Sequence, residues 1–247
     1  MTYCLGIAVD AGLVFASDSR TNAGVDHVNS YPKMFHFTVP NQAFFVLLTS
    51  GNLATTQAVV ERIQRDLEDP DAKNSLAQAS EMSDAARYVG HVSYKVRRYY
   101  QEGESGESHA FDSSFILGGQ IAGKPHQLYM IYPQGNYIRN SPYAPFLQIG
   151  ETKYGKPILD RIIEPRTSLE AAARCALVSI DSTTRSNLTV APPIDLLIYA
   201  RDALQPAQIQ RYKLNSPYYA SLRKHWGEGL KQLFDELPLF DWEKTSV

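Results

Sequence analysis

Residues 2–20 read TYCLGIAVDAGLVFASDSR, and this opening stretch predicts how the fold begins. Residues 3–9 alternate in the manner of a β-strand, and residues 12–17 form a second apolar run. The segment 10–12 between them, D-A-G, is typical of a tight turn, so a hairpin is predicted almost at the start of the chain. Thr2 lies immediately before this hairpin. A strand would hold it in place, whereas chain ends are usually mobile.

Thr2 would carry two reactive groups if removal of Met1 made it the amino terminus. Its hydroxyl is a nucleophile, and its α-amine is a base with an ordinary pKa of about 7.7–8.0. A base that titrates near neutral pH suits general-base catalysis. The prediction applies to the trimmed chain, because a Thr2 nitrogen bonded to Met1 is part of a peptide group. A Met-Thr start alone is a weak signal.

Three further residues follow in an order that suits this chemistry. Asp18 ends the second strand in S-D-S-R, Lys33 opens a third strand, and Gly51 ends a fourth strand before a helical pattern. Lys33 would lower the proton affinity of Thr2, and Asp18 would balance its buried charge. The Gly51 N–H would point at a developing oxyanion. Taken one at a time, these residues have commoner interpretations. Asp18 would be an ordinary turn aspartate, Lys33 a lysine that protects an edge strand, and Gly51 a turn between strand and helix.

On these residues the chain resembles the proteasome β-subunit family of N-terminal-nucleophile hydrolases, and most closely its bacterial Anbu (ancestral beta subunit) branch. The resemblance rests on the start TYCLGI and on the segments FASDSRTNAGVD, LLTSGNLATTQAV and IGETKYGKPILDR. It implies that Thr2 is the nucleophile, that Asp18 and Lys33 are a charge pair, and that Gly51 is the oxyanion donor. It also implies a homo-oligomer, with an open, spiral-like assembly.

Two positions depart from the pattern that the resemblance implies. The family usually carries a serine that contacts the terminal amine in a Gly-Ser-Gly turn, whereas this chain has Glu151 there. A glutamate would raise the pKa of the amine and weaken it as a base. In the family's Asp-x-x-Ser-Gly pattern, Ser186 matches the serine, but Thr183 stands at the aspartate position and Asp181 is two residues early. These departures favour weak or unusual peptidase activity.

Composition excludes several other classes of protein. The chain has 247 residues, 44% of them hydrophobic, and we expect a single domain over 1–247. A net charge of −2 without a long basic stretch predicts neither nucleic acid nor a membrane surface as partner. Two cysteines and the absence of a basic leader favour the cytoplasm. No nucleotide-binding loop or paired-histidine motif is present, so we expect no cofactor or metal, and any ATP-dependent unfoldase would be a separate partner.

Hydrophobic periodicity along the chain predicts strands, two helices, strands, two helices near 152–163 and 168–181, strands and a last helix. Hairpins with paired helices suggest two packed sheets covered on both outer faces. This is the α+β, four-layer αββα sandwich that the resemblance implies. The segment 216–247 could pack on its own domain or contact another subunit. For its tail we favour a subunit contact, because an exposed Phe240 and Trp242 are costly on a monomer.

The sequence therefore predicts a cytoplasmic threonine peptidase that cleaves peptides or unfolded proteins as a homo-oligomer. Two alternatives stay open. The chain could be an assembly or binding protein with negligible hydrolysis, which Glu151 and Thr183 favour, or an amidase for small molecules.

Overall fold

The secondary structure is given by a computed structural model that describes residues 2–22, 28–102 and 109–244. Within these ranges the strands are β1 (Tyr3–Val9), β2 (Gly12–Asp18), β3 (Arg20–Asn22), β4 (Val28–Ser30), β5 (Met34–Val39), β6 (Ala43–Gly51), β7 (Ser113–Ile121), β8 (Gln127–Ile131), β9 (Tyr137–Arg139), β10 (Phe146–Gly150), β11 (Ile194–Ala200) and β12 (Gln208–Tyr212). The α-helices are α1 (Leu53–Glu68), α2 (Met82–Gln101), α3 (Lys156–Ile162), α4 (Leu169–Ser186), α5 (Pro217–Asp235) and α6 (Asp241–Lys244). Short 3₁₀ helices cover Leu76–Gln78 and His109–Phe111.

Two antiparallel sheets of five strands form the centre of the protein. The first has the order β10-β1-β2-β11-β12, and the second has the order β5-β6-β7-β8-β9. Strands β3 and β4 pair with each other in a separate ladder. The predicted hairpin is confirmed, because β1 and β2 pair with Val9 opposite Gly12.

Strands β1 and β6 bury both of their faces. On β1, Leu5 and Ile7 belong to the core shared with α3 and α4, whereas Cys4 belongs to the core between the two sheets. On β6, Leu47 packs with α1 and α2, whereas Leu48 faces the first sheet. Alternation along each strand therefore fills two different cores.

These contacts set the order of the layers. Helices α3 and α4 cover the first sheet, the two sheets pack face to face, and α1 and α2 cover the second sheet. The predicted α+β, four-layer αββα sandwich is confirmed.

Helix α5 packs on α4 near its beginning and is open to solvent near its end. Tyr219 is fully buried, and the Arg223 Nε donates to Asp181 Oδ1 of α4 at 2.5 Å. Beyond that point several large apolar side chains are exposed: Leu230, Leu233, Phe234, Leu237, Leu239, Phe240 and Trp242. A subunit contact through 216–247 stays a prediction, and residues 245–247 lie outside the described part of the chain. Within the described ranges, no helix combines the length and apolar character needed to cross a bilayer.

Candidate active site

Thr2 is held by the edge of the first sheet, although it precedes β1. Its carbonyl oxygen accepts the N–H of Glu151 at 2.7 Å, and Tyr3 pairs with Gly150. Gly150 has φ +85°, and a Cβ at this position would lie 2.0 Å from the Thr2 oxygen. Glycine is therefore required where β10 passes Thr2. Met1 lies outside the described residues.

Lys33 and Asp18 form a buried ion pair. The Lys33 Nζ lies 2.8 Å from Asp18 Oδ1, and the two side chains are 7% and 0% exposed. The ammonium also donates to the carbonyl oxygen of Arg20 at 2.5 Å. Because Lys33 stands just before β5 and Asp18 ends β2, the pair joins the two sheets.

The Asp18 carboxylate is also bound by the backbone. Its Oδ1 accepts the N–H of Tyr3 at 3.0 Å, and its Oδ2 accepts the N–H of Ala191 at 3.4 Å. Burial raises the pKa of the Asp18 carboxyl, and the Lys33 ammonium and these two N–H groups oppose that rise. Asp18 therefore ties the Lys33 ammonium to the peptide group that follows Thr2.

A pocket of about 370 Å³ brings Thr2, Lys33 and Gly51 together. Uncharged residues form the rest of its described wall: Thr21, Pro32, Thr49, Ser50, Leu53, Thr56 and Gly150. Cavities of about 460 Å³ beside α2 and about 580 Å³ between α4 and α5 are larger, but none of the predicted site residues lines them. The chemistry of its lining, and not its size, marks this pocket as the candidate site.

Gly51 stands where β6 ends and α1 begins. Its φ is +110°, and a Cβ there would lie 2.3 Å from the carbonyl oxygen of Asp112. Asn52 caps α1 by accepting the N–H of Thr55 at 3.0 Å. The amino end of α1, with its partial positive charge, therefore lies beside the pocket and favours a developing negative charge there.

Ser186 is the last residue of α4. It is exposed at the end of α4 and is not among the described residues that line the pocket. Its catalytic role stays a prediction. The next residue, Asn187, reaches the neighbourhood of Thr2, because its Nδ2 donates to Glu151 Oε2 at 3.0 Å.

Thr183 and Asp181, where the chain departs from the family's pattern, both have hydrogen-bond partners in the structure. Thr183 donates its hydroxyl to the Ser179 carbonyl within α4 at 2.9 Å. Asp181 is fully buried and accepts from Arg185 at 3.1 Å and from Arg223 at 2.5 Å. Asp181 therefore joins α5 to α4, away from the pocket.

Cys4 is close to Thr2 in sequence but packs in the core. Its thiol contacts the Thr49 carbonyl oxygen at 3.5 Å, and burial raises the pKa of that thiol.

The sequence did not identify the polar wall at Thr21, Thr49 and Thr56, or the contact between Asn187 and Glu151. The contact between Asn187 and Glu151 lies near Thr2 because β10 pairs with β1, which places Glu151 beside Thr2. The sequence did not predict that pairing.

Comparisons with known proteins agree with this fold. The family model described as proteasome subunit matches residues 2–197. Anbu (ancestral beta-subunit) from Yersinia bercovieri has 42% identity and a TM-score of 0.91, covering 97% of this chain and 99% of that chain. The helical assembly of the Anbu complex from Pseudomonas aeruginosa has 44% identity and a TM-score of 0.89, covering 97% and 98%. Anbu from Hyphomicrobium sp. strain MC1 has 42% identity and a TM-score of 0.87, covering 97% and 100%.

No curated protein matches the chain in sequence. The match of the family model extends over most of the chain, and the Anbu structures match nearly all of it. The chain therefore belongs to the proteasome subunit family, and within it to the Anbu branch.

Proposed function

We propose that the protein is a threonine peptidase of the N-terminal-nucleophile type, with Thr2 as nucleophile after removal of Met1. One observation carries this proposal. The buried Lys33 ammonium, paired with Asp18 at 2.8 Å, lines the same pocket as Thr2 and Gly51. A buried, charged lysine in the same pocket as a threonine costs folding free energy, and it suits activation of a nucleophile.

The reaction begins with attack of Thr2 Oγ1 on the carbonyl carbon of the substrate. The α-amine of Thr2 takes the hydroxyl proton, and the Gly51 N–H donates to the oxyanion that forms. Collapse of this intermediate breaks the C–N bond, and the leaving nitrogen receives the proton from the Thr2 ammonium. Water then hydrolyses the ester on Thr2 by the same proton transfers in reverse.

Lys33 contributes through its charge. A positive group beside Thr2 favours the neutral amine over the ammonium and favours a hydroxyl that is losing its proton. Asp18 balances this charge and keeps the ammonium in position, because the carboxylate is itself fixed by the N–H groups of Tyr3 and Ala191.

The substrate is a peptide or an unfolded protein. Lys33 is the one charged side chain among the described residues that line the pocket, and the others are hydroxyl-bearing or apolar. Such walls suit an uncharged side chain of the substrate. The protein contains no nucleotide-binding motif, so any ATP-dependent unfoldase is a separate partner.

The peptidase works as a homo-oligomer in the cytoplasm. The Anbu complex from Pseudomonas aeruginosa is a helical assembly, and this chain exposes apolar side chains along the end of α5 and the tail. We therefore assign contacts between subunits to the segment 216–247. Both cysteines, Cys4 and Cys175, are free, as expected of a reducing compartment.

Covalent capture tests the proposal. The protein is incubated with a β-lactone that acylates threonine hydroxyls, and intact mass reports both loss of Met1 and addition of one acyl group. We expect labelling of the wild type and of Thr2→Ser, and none of Thr2→Ala. Equal labelling of wild type and Thr2→Ala contradicts catalysis and favours an assembly protein. Cleavage of simple amides but of no peptide in a substrate panel favours a small-molecule amidase.

A further inference from the structure

Glu151 places a buried carboxylate next to Thr2. It follows β10 directly, and its side chain is 8% exposed. The pairs Tyr3–Gly150 and Cys4–Ile149 set the register of β1 and β10, and one more step along this register puts Glu151 opposite Thr2. The hydrogen bond from the Glu151 N–H to the Thr2 carbonyl, 2.7 Å long, agrees with that step.

The same register indicates the direction of the Thr2 nitrogen. In an antiparallel ladder, alternate residues direct both their N–H and their C=O at one opposing residue. Ala8 belongs to this set, since its N–H donates to Pro145 at 2.7 Å, and Thr2 lies six residues earlier on the same strand. Continued to Thr2, this pattern would put the α-nitrogen on the side of the strand to which its carbonyl points, the side of Glu151.

The Glu151 carboxylate is held in one orientation. Asn187 Nδ2 donates to its Oε2 at 3.0 Å, and Asn187 Oδ1 accepts from the N–H and hydroxyl of Thr189 at 3.0 and 2.6 Å. The contacts with Thr189 decide which end of the Asn187 amide faces Glu151. Lys153 lies 3.8 Å from Glu151 Oε1, but its side chain is 75% exposed, so solvent screens this charge.

We propose that Glu151, fixed by Asn187, is the counter-ion of the freed α-amine of Thr2 and acts as a positioning residue for it. This inference rests on the proposed function in one respect, the removal of Met1. The charged groups around the amine are then Glu151 and Lys153 from the segment after β10, Lys33 before β5 and Asp18 at the end of β2.

Glu151 and Lys33 act on the amine with opposite sign. The carboxylate favours the ammonium form, which holds the chain end in place but cannot accept a proton, and the Lys33 charge favours the neutral base. With Glu151 present, the neutral amine is abundant only at higher pH. Replacing the carboxylate by an uncharged group must therefore shift titration of the amine to lower pH.

Trace acetylation measures this titration without using catalysis. Protein whose intact mass shows Thr2 at the amino terminus is treated with a small amount of acetic anhydride across a range of pH. Acetylation of the N-terminal peptide is quantified by mass spectrometry, and its midpoint reports the pKa of the amine. We expect Glu151→Gln to lower this midpoint by about one pH unit, as loss of one close opposite charge should do.

Three variants serve as controls. Glu164→Gln removes the same charge from an exposed site and should leave the midpoint unchanged. Glu151→Asp keeps the charge and should stay near the wild-type midpoint. Glu151→Ser removes the charge with a smaller side chain and replaces Glu151→Gln if that variant does not fold. An unchanged midpoint in the uncharged variants, or an equal shift in Glu164→Gln, overturns the proposal.

Failure of the proposed function gives a different result. If Thr2 is free but not captured by the β-lactone, the peptidase assignment fails. The acetylation midpoints then still decide whether Glu151 is the counter-ion of the amine.

Discussion

Replacing Lys33 by methionine leaves a buried carboxylate without its counter-ion. Asp18 is fully buried and lies 2.8 Å from the Lys33 Nζ. Removing one member of a buried ion pair costs about 3–5 kcal/mol of unfolding free energy. The N–H groups of Tyr3 and Ala191 remain on the carboxylate, which favours the lower part of this range. The Arg20 carbonyl loses a donor, at a cost of about 1 kcal/mol. We expect a loss of about 3–4 kcal/mol.

This loss should depend on pH. Burial raises the pKa of Asp18 in the folded protein, and the variant lacks the ammonium that opposes the rise. The folded variant therefore binds a proton more readily than the unfolded chain, whose aspartate pKa is about 3.9. Stability of Lys33→Met should then increase as pH falls through the raised pKa of Asp18 towards that value. The difference from wild type should be larger at pH 7.5 than at about pH 5.

Urea unfolding at one fixed protein concentration measures both effects, since the stability of an assembly depends on concentration. The double variant Lys33→Met with Asp18→Asn removes both charges and should recover most of the loss. A loss under about 1 kcal/mol would refute the reasoning. So would a loss that is the same at both pH values, or a double variant no more stable than Lys33→Met.

Three further outcomes are expected. Gly51→Ala should cost about 1–3 kcal/mol and abolish β-lactone capture, because φ is +110° and a Cβ would meet a backbone carbonyl oxygen. Gly123→Ala is the matched control; it also has positive φ, +73°, but open space around the Cβ, so it should cost about 1 kcal/mol and keep capture. Ellman's reagent should react with neither thiol of the folded protein, because burial raises the pKa of Cys4 and brings that of Cys175 to about 12; two thiols should react in urea. Deleting 237–247 should lower the sedimentation coefficient of the assembly while the circular dichroism spectrum keeps its form, and an unchanged assembly would contradict the role of the tail.

The sequence was most informative where neighbouring residues alone decide the structure. Alternation along residues 3–9 predicted the first strand, and β1 is Tyr3–Val9. The glycine of the 10–12 turn allowed the hairpin to close, and apolar periodicity near 168–181 predicted α4, which extends to Ser186. Each of these signals is local, because hydrophobic period and turn chemistry act over a few residues.

Strand β10 could not be predicted in this way. Its five residues, FLQIG, are too few to show a period, and the strand exists because it pairs with β1, about 140 positions earlier in the chain. This pairing places Glu151 beside Thr2, a position that the family resemblance indicated and that local periodicity could not. The motif that suggested Ser186 carried no information on how the last turn of α4 is oriented.

The peptide group between Thr2 and Tyr3 is held from both sides, and this bears on whether the trimmed chain can react. Its N–H donates to Asp18 Oδ1 at 3.0 Å, and its C=O accepts from the Glu151 N–H at 2.7 Å. Neither hydrogen bond uses the Thr2 nitrogen, so removal of Met1 leaves both intact. The position of the hydroxyl then depends on two torsions of Thr2, ψ and χ1, and the threonine methyl restricts χ1. The hydroxyl, in the pocket that Lys33 also lines, therefore has few positions open to it before any substrate arrives, and that ordering lowers the entropic cost of attack.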